Sequence, residues 1–451
     1  MDESDPTGPS TAPAPSLRPE EAARSEEAAR PAPARPSAPG SDTPPSRPRA
    51  YWTVGPGQGE LRFEPSRSAL PGEVLVEALY GAVSRGTEGL VFRGEVPISE
   101  FARMRGPNQA GDFPFPVKYG YCLVGRVIDG PRPLRDRRVL VLHPHQDRLV
   151  IEAEAAVPLP DNVPSRRAVL GPNMETALNV LWDSGVAAGD RVAVVGAGTV
   201  GALVARLAAR IPGTEVALID VQPSRRFIAE TLGARFATPI DAPLLFGRDF
   251  DVVVHASATA EGLTTALGLA GSEATVVEAS WYGARSVAVP LGEAFHARRL
   301  RIVSSQVGRV PPQRVPRWDG RRRLTTALEL LDDPALDVLL AEPVAFADLP
   351  AAMPRILAGG PGAPARSSSI RPPSAAIPPR SGGSGPLGRR RCATRRDRDP
   401  RRLIGASTSA GPACSLGPRR PSEAGGRSRR RPRPHRGGEP GCTQSRCATT
   451  S

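Results

Sequence analysis

Cysteine and lysine are the residues this chain does almost without. Of its five cysteines only Cys122 precedes Cys392; Cys414, Cys442 and Cys447 follow. A lone cysteine in the body of the chain excludes a disulfide framework there and offers no CxxC spacing for structural zinc. Lysine occurs once, as Lys118, among 59 basic residues. With arginine, alanine, proline and glycine abundant, that bias marks a GC-rich coding sequence rather than a surface selected for nucleic acid. Aromatics make up 4% of the chain, and none lies in the basic stretch 359–451, which therefore has nothing on which bases could stack. Long apolar runs are missing as well: the most apolar stretch, 192–205, is too short to span a bilayer. The N-terminus opens Met1-Asp2-Glu3-Ser4-Asp5, without a basic and apolar leader. These absences predict a cytoplasmic protein with neither membrane nor nucleic acid as a partner.

Charge is unevenly placed. Residues 359–451 carry 20 arginines against Asp397, Asp399, Glu423 and Glu439. Their net of +16 exceeds the +13 of the whole chain, so the remainder stands at −3. That stretch is Arg, Pro, Gly and Ser, while residues 1–50 are Pro, Ala, Ser and Glu without apolar periodicity. Neither buries enough apolar surface to offset its ordering entropy, so both are expected to be disordered tails. A frameshift near Gly359 in a GC-rich gene would account for the abrupt change of text, and would leave the fold without its closing strand. Residues 51–358 remain, enough for two cores.

Within them, 51–151 reads as short strands punctuated by Gly and Pro, among them 73–79, 123–128 and 138–142. No long helical pattern interrupts, including at 84–94, so this is a mostly β module. A linker at 158–164 and a helix over 174–183 follow. From 191 onward strands near 192–195, 216–219, 251–256, 275–280 and 301–306 alternate with helices at 227–232, 261–269 and 295–299. Such alternation predicts a doubly wound parallel sheet. A helix at 324–331 and a strand-then-helix at 344–357 complete the ordered pattern.

The densest information lies at RVAVVGAGTVGALVARLAARIPGTEVALID, residues 191–220. An apolar run leads into Gly196-Ala197-Gly198-Thr199-Val200-Gly201. Val204, Leu207, Ala208 and Ile211 then repeat as on one helix face, and a second apolar run ends on Asp220. Strand, glycine turn, helix, strand and acid form the βαβ fingerprint of a dinucleotide site. Gly196 permits the tight turn, Gly198 lets a pyrophosphate approach the backbone, and Gly201 lets helix and strand pack closely. Thr199 and Val200 open the helix whose N–H groups face the phosphates. Asp220 is placed to accept ribose hydroxyls, which favours NAD; Arg225 and Arg226 nearby keep NADP in view. His255, Ser257 and Ser280 fall at strand C-termini, where ligands sit in such sheets.

A β module, a Rossmann half and a short return segment together resemble the medium-chain dehydrogenase/reductase family, the alcohol dehydrogenase-like enzymes. The resemblance includes Leu181-Trp182-Asp183-Ser184-Gly185 leading to the glycine turn, and Arg301-Ile302-Val303-Ser304-Ser305-Gln306. It implies an α/β fold: a GroES-like β-barrel at 51–165, a Rossmann domain at 166–310, and a bridge and return segment at 311–358 that completes the barrel. It also implies a nicotinamide cofactor, a small alcohol/carbonyl substrate, and pairing of two copies through the Rossmann sheet edge.

The chemistry departs from that family. Zinc members carry a Cys before a Ser/Thr-Asp pair and a Gly-His-Glu run. Here Thr87-Glu88 matches the pair, Ser84 or Arg85 replaces the Cys, and Gly120-Tyr121-Cys122 replaces the run. The third ligand position, near Gly171-Pro172-Asn173-Met174-Glu175, has neither Cys nor His. Zinc needs three protein ligands and an open position, and this chain offers Cys122 or Glu175, so no catalytic zinc is expected. The departures look like a zinc-less subgroup that includes the dehydrogenase of bacteriochlorophyllide synthesis. Thr87 and Tyr121 are then the catalytic candidates: Thr87 matches the family's proton-relaying hydroxyl, and Tyr121 places a phenol where a metal ligand stood. Glu88 and Arg85 are open to pairing with each other or with phosphate. Cys122 reads as a small buried hydrophobe. His143 and His145 share one face of a strand end, suited to a turn or a cleft wall. The expected function is a zinc-independent, NAD(P)-dependent alcohol/carbonyl oxidoreductase. The alternatives are a reductase of an activated C=C bond and a dinucleotide-binding protein without catalysis.

Overall fold

The computed structural model describes residues 47–358 and a strand at 368–371. All but the inner margins of the two expected tails thus lies outside the described residues. β1 (Arg49–Gly55) starts two residues inside the stretch that composition assigns to the N-terminal tail, and forms a hairpin with β2 (Gln58–Phe63). β3 (Glu73–Val83) leads into helix α1 (Arg85–Arg93). β4 (Ala110–Gly111) and β5 (Val117–Lys118) return the chain to β1, giving a four-stranded sheet of order β2-β1-β5-β4. β6 (Leu123–Asp129), β7 (Arg138–Val141), β8 (Arg148–Glu152) and β9 (Val157–Pro158) join β3 antiparallel or through one another. Lys118 is buried between the two sheets' loops, its Nζ 2.9 Å from Glu64 Oε2 and 3.1 Å from Gln146 Oε1.

Residues 84–94, expected within a mostly β module, form α1 instead. Ser84 is the extended N-cap, its N–H donates to Glu88 Oε1 at 2.7 Å, and Gly94 closes the helix at φ 72°. A helix of nine residues is too short to show periodicity, but these end signals specify it.

After α2 (Ser165–Ala168) and α3 (Gly171–Ser184) comes the glycine-turn half. It runs β10 (Arg191–Val195), α4 (Thr199–Ala208), β11 (Glu215–Ile219), α5 (Arg226–Thr231), β12 (Arg235–Ala237) and α6 (Ala242–Phe246). It continues with β13 (Phe250–His255), α7 (Ala260–Leu269), β14 (Ala270–Glu278) and β15 (Arg301–Ser304). The strands are parallel in the order β12-β11-β10-β13-β14-β15, the doubly wound arrangement expected. Val192 and Val194 pack with Val204 and Leu218 on one face, Ala193 and Val195 with Val253 and Leu263 on the other. Burial on both faces is why these strands read as continuous apolar runs. α4 ends at Ala208, so Ile211, expected on its buried face, lies beyond it.

α8 (Gly320–Glu329) packs on α3, and β16 (Val344–Ala345) precedes α9 (Leu349–Leu357), whose Leu349, Met353 and Ile356 join Tyr51 and Phe92 in a core. β17 (Ser368–Arg371) is a second correction. It lies in the expected tail, yet pairs antiparallel with β3 (Ser368↔Val83, Ile370↔Gly81) and parallel with β16. The closing strand expected to be missing is therefore present. Strand pairing is made by backbone groups, so a four-residue segment completes an open edge without any apolar pattern of its own. Among the described residues no helix is long and apolar enough to cross a membrane.

Helix α4 and the turn before it touch so closely that a Cβ on Gly201 would be driven into the Gly196 carbonyl oxygen. Gly201→Ala is expected to cost about 1–3 kcal/mol through overpacking, read as a lower urea midpoint; an unchanged midpoint would show that the helix can move away freely.

Candidate functional site

The turn between β10 and α4 is built for close approach. Gly196 has φ 110°, and a Cβ there would lie 2.8 Å from the backbone of Ala256 and Ser257 at the end of β13. Gly198, by contrast, has nothing within 4 Å of the position its Cβ would take. It is the N-cap of α4 and provides no side chain to satisfy the helix's first N–H groups. Thr199 and Val200, both half-buried, follow as the first helical residues. Uncapped donors beside an open position suit the phosphates of a dinucleotide.

Asp220 sits at the end of β11 as expected, but its carboxylate is already engaged. Oδ2 accepts from Ala197 N–H at 2.8 Å and from Arg225 Nη1 at 2.7 Å, and Oδ1 accepts from Gln222 N–H at 2.9 Å. Arg225 is buried in this pair, while Arg226 is exposed, stacked on Phe236 and 3.8 Å from Glu230. Burial lowers the pKa of the Arg85 guanidinium, Arg225 lowers it further and Asp220 opposes both, which places Arg85 toward this same acid.

The second half of the site is centred on Tyr121, whose ring meets Tyr119 edge-on at 6.4 Å. Tyr119 continues to Phe113 and Phe101, an aromatic wall at centroid separations of 5.6 and 5.5 Å. Burial pushes the Tyr121 phenol up to about 12, against a hydrogen bond with Ser84. Glu88 raises it further and a hydrogen bond with Thr87 opposes this. The structure thus brings the expected pair, Thr87 and Tyr121, together, with the phenol neutral at physiological pH. Glu88 reaches a histidine. Its Oε2 lies 2.7 Å from His145 Nε2, both side chains being almost fully buried. His145 Nδ1 is buried without a partner among the described residues, so Nε2 carries the proton that the carboxylate accepts. His143 is also buried; burial lowers it to about 4 although its Nδ1 lies 2.8 Å from the Pro144 carbonyl. Both histidines lie in the turn between β7 and β8, which β1 meets through the Ala50–Gln146 bridge.

The side chains at the positions where zinc members carry ligands are engaged within the protein. Cys122 Sγ donates to the Val169 carbonyl at 3.2 Å, and burial raises its pKa, so it is a thiol. Glu175 is paired with Arg323 at 3.0 Å. Among the described residues no group of three or more His, Cys, Asp or Glu is placed to hold a metal ion.

Sequence reasoning missed a third cluster. His255 and Glu278 are register partners at the ends of β13 and β14. His255 Nδ1 lies 2.7 Å from Glu278 Oε2, and its Nε2 lies 2.6 Å from Ser257 Oγ. The Tyr282 hydroxyl donates to Glu278 Oε2 at 3.0 Å. The strand-end positions of His255, Ser257 and Ser280 were legible; their union through Glu278 needed the register. Beyond it, Trp281 packs against the aromatic cluster that includes Tyr121. Gly283 abuts Leu90 and Glu95. The segment after β14 thus joins the two halves of the cleft.

A parallel sheet with a glycine turn, set beside antiparallel sheets that the C-terminal strand completes, is the fold of the medium-chain, alcohol dehydrogenase-like oxidoreductases. In sequence the chain is 28% identical over 311 residues to D-guloside 3-dehydrogenase of Escherichia coli K12, covering 63% of this chain and 89% of that protein. Among solved structures it is similar to L-idonate 5-dehydrogenase of E. coli K-12, with a TM-score of 0.58 and 15% identity over 72% of this chain and 98% of the other. An alcohol dehydrogenase of E. coli CFT073 in complex with NADH gives 0.57 and 16%, over 72% and 99%. No family model matches the chain. These likenesses bear out the resemblance to the alcohol dehydrogenase-like enzymes.

Two outcomes follow from the Tyr121 pocket. His145→Ala leaves the Glu88 carboxylate short of a buried donor and is expected to cost about 1.5–3 kcal/mol, measured by chemical denaturation. In a phenolate absorbance titration, the difference between wild type and Tyr121→Phe should be flat through about pH 10, where a free tyrosine is half ionised; a phenolate signal below that pH would contradict the neutral phenol.

Proposed function

We propose that this chain is a zinc-independent, NAD-preferring oxidoreductase that interconverts a secondary alcohol and a carbonyl, with sugars or polyols as its substrate class. One observation carries the proposal. The turn at 196–201 admits only glycine at its ends, yet stays open above Gly198 in front of the uncapped end of α4. Such a turn suits a pyrophosphate, and the bound nicotinamide supplies the two-electron acceptor. The preference for NAD rests on Asp220 at the end of β11 and on Arg225, which is engaged with that acid.

The substrate class is suggested by the relative that acts on a D-guloside. The half-buried Phe101, Tyr121 and Trp281, packed on the buried Phe113 and Tyr119, suit the apolar face of a sugar ring. Tyr121 is the group that holds the substrate oxygen. As a neutral phenol it donates to a carbonyl oxygen as negative charge develops there, and Ser84 and Thr87 fix its direction. Zinc independence is supported by a thiol at Cys122 and by ion-paired Glu175.

Fluorescence titration with NADH and NADPH tests the cofactor; failure to bind either ends the dehydrogenase reading. On a panel of glycosides and polyols, Tyr121→Phe should lower kcat about 10²-fold or more with NADH affinity unchanged. Equal turnover by the variant would remove Tyr121 from the site. Stoichiometric zinc whose removal abolishes turnover would overturn the metal-free reading.

A further inference from the structure

We infer that Arg323 is a positioning residue: it holds the segment 305–309 against α3, and so fixes the surface behind the nicotinamide end of the bound cofactor. The inference deepens the dehydrogenase reading above and rests on it. Strand order gives the direction. Asp220 ends β11, and the glycine turn with the open end of α4 follows β10. A dinucleotide anchored at those two places extends its other half over the ends of β13, β14 and β15. Segment 305–309 leaves β15, the last strand on that path. Ser304 is in register with Glu278, and Ser305 N–H donates to the Glu278 carbonyl at 3.0 Å. Three residues beyond Glu278, Trp281 packs against the cluster that Tyr121 also joins. The segment is bonded to α3 as well, and Val169, just before that helix, accepts from Cys122 Sγ. It is thus bracketed by two elements that each reach the Tyr121 half of the cleft.

Arg323 makes most of the bonds that hold the segment to α3. It lies on the buried side of α8 with Leu324, Ala327 and Leu328, and is itself 4% exposed. An apolar side chain would serve packing there equally well, and arginine is seldom buried unless its charge is matched. Every nitrogen of this guanidinium donates. Nε donates to Glu175 Oε1 at 3.0 Å, Nη1 to Asn179 Oδ1 and to the Arg309 carbonyl at 3.3 Å, and Nη2 to the Val307 carbonyl. Two of these bonds end on α3 and two on main-chain carbonyls of the segment, so one planar group sets the spacing between them. Lysine, with a single nitrogen, cannot repeat that spread. The start of the segment is fixed on the same helix. Asn179 Nδ2 donates to Asp183 Oδ2 at 2.9 Å and to Ser305 Oγ at 3.3 Å, and Ser305 Oγ donates to that Oδ2 at 2.6 Å. Between the two anchors, Gly308 N–H donates to Gln306 Oε1 at 2.7 Å and closes the turn.

Hydride transfer needs the donor and acceptor carbons held at contact distance, and a misplacement of about 1 Å costs on the order of 10²-fold in rate. The glycine turn secures only the phosphate end of the cofactor, which leaves the attitude of the reacting ring to whatever lies against it. Arg323 acts through the segment, whose place relative to α3 it sets, and touches neither cofactor nor substrate.

The test reads the surroundings of the ring as well as turnover. The emission spectrum and lifetime of bound NADH should differ between wild type and Arg323→Lys, while NADH affinity, set at the phosphate end, is retained. On any glycoside or polyol that turns over, Arg323→Lys should lose about 10²-fold in kcat with KM changed far less. Should that variant fail to fold, Glu175→Met combined with Arg323→Met exchanges the buried pair for apolar groups, which such sites tolerate, and should show the same altered emission. Arg206→Lys is the control for a purely structural clamp. In the last turn of α4, Arg206 Nε donates to Asp333 Oδ2 at 2.7 Å and its Nη1 to the Leu232 carbonyl at 3.3 Å. Its replacement should lower the urea midpoint and leave NADH emission and kcat as in the wild type. Wild-type emission and kcat in whichever Arg323 variant folds would overturn the inference, as would an equal change in Arg206→Lys. Failure of the wild type to bind NADH would instead strike the dehydrogenase reading itself.

Discussion

No side chain fits between helix α4 and the carbonyl of Gly196, and much of the architecture depends on that contact. Because Gly201 lies against the turn, the helix starts close to the ends of β10 and β13 and aims its unpaired N–H groups along the line where those strands finish. The same closeness forces Gly196 into a left-handed conformation and sets Ser257 beside it. The open end of α4 and the start of the His255 cluster are therefore one construction. Moving the helix outward would loosen both.

The two halves of the cleft are tied by the segment that follows β14. Glu278 ends the strand, Trp281 reaches the aromatic cluster around Tyr121, and Gly283 meets α1 at Leu90. The hydroxyl-bearing helix α1 is held from below by the Glu88 bond to His145. Where zinc relatives place metal ligands, this chain places a phenol and a thiol, each kept neutral by its burial. The cleft thus has one charged end, at Asp220 with Arg225 and Arg85, and one neutral end, at Tyr121. That polarity matches a ligand with phosphates at one end and an uncharged reacting group at the other.

How much of this could be read from the residues depended on range. The glycine turn, its flanking strands and the position of Asp220 are local, so spacing alone specified them. The pairing of Thr87 with Tyr121 came from a resemblance between two short runs. Helix α1 went unread because nine residues show too little periodicity, although Ser84, Glu88 and Gly94 are conventional end signals. β17 was hidden because its partners, β3 and β16, lie far from it in the case of β3 and carry no mark of an open edge. The bonds from Glu88 to His145 and from His255 to Glu278 join residues 57 and 23 positions apart; the packing of α1 brings the first pair together and strand register the second. Asp220 was placed correctly, but its engagement by Arg225 and two backbone N–H groups depends on how the following turn folds.

The buried lysine has a consequence outside catalysis. Lys118 is the only lysine in the sequence, and its amino group is enclosed by Glu64 and Gln146. Acetylation, ubiquitination and amine-directed cross-linking all require an accessible ε-amino group, and no side chain of the folded protein presents one. The positive surface is made wholly of guanidinium groups. Reagents directed at lysine side chains, which label most proteins at many places, have no exposed lysine to reach here.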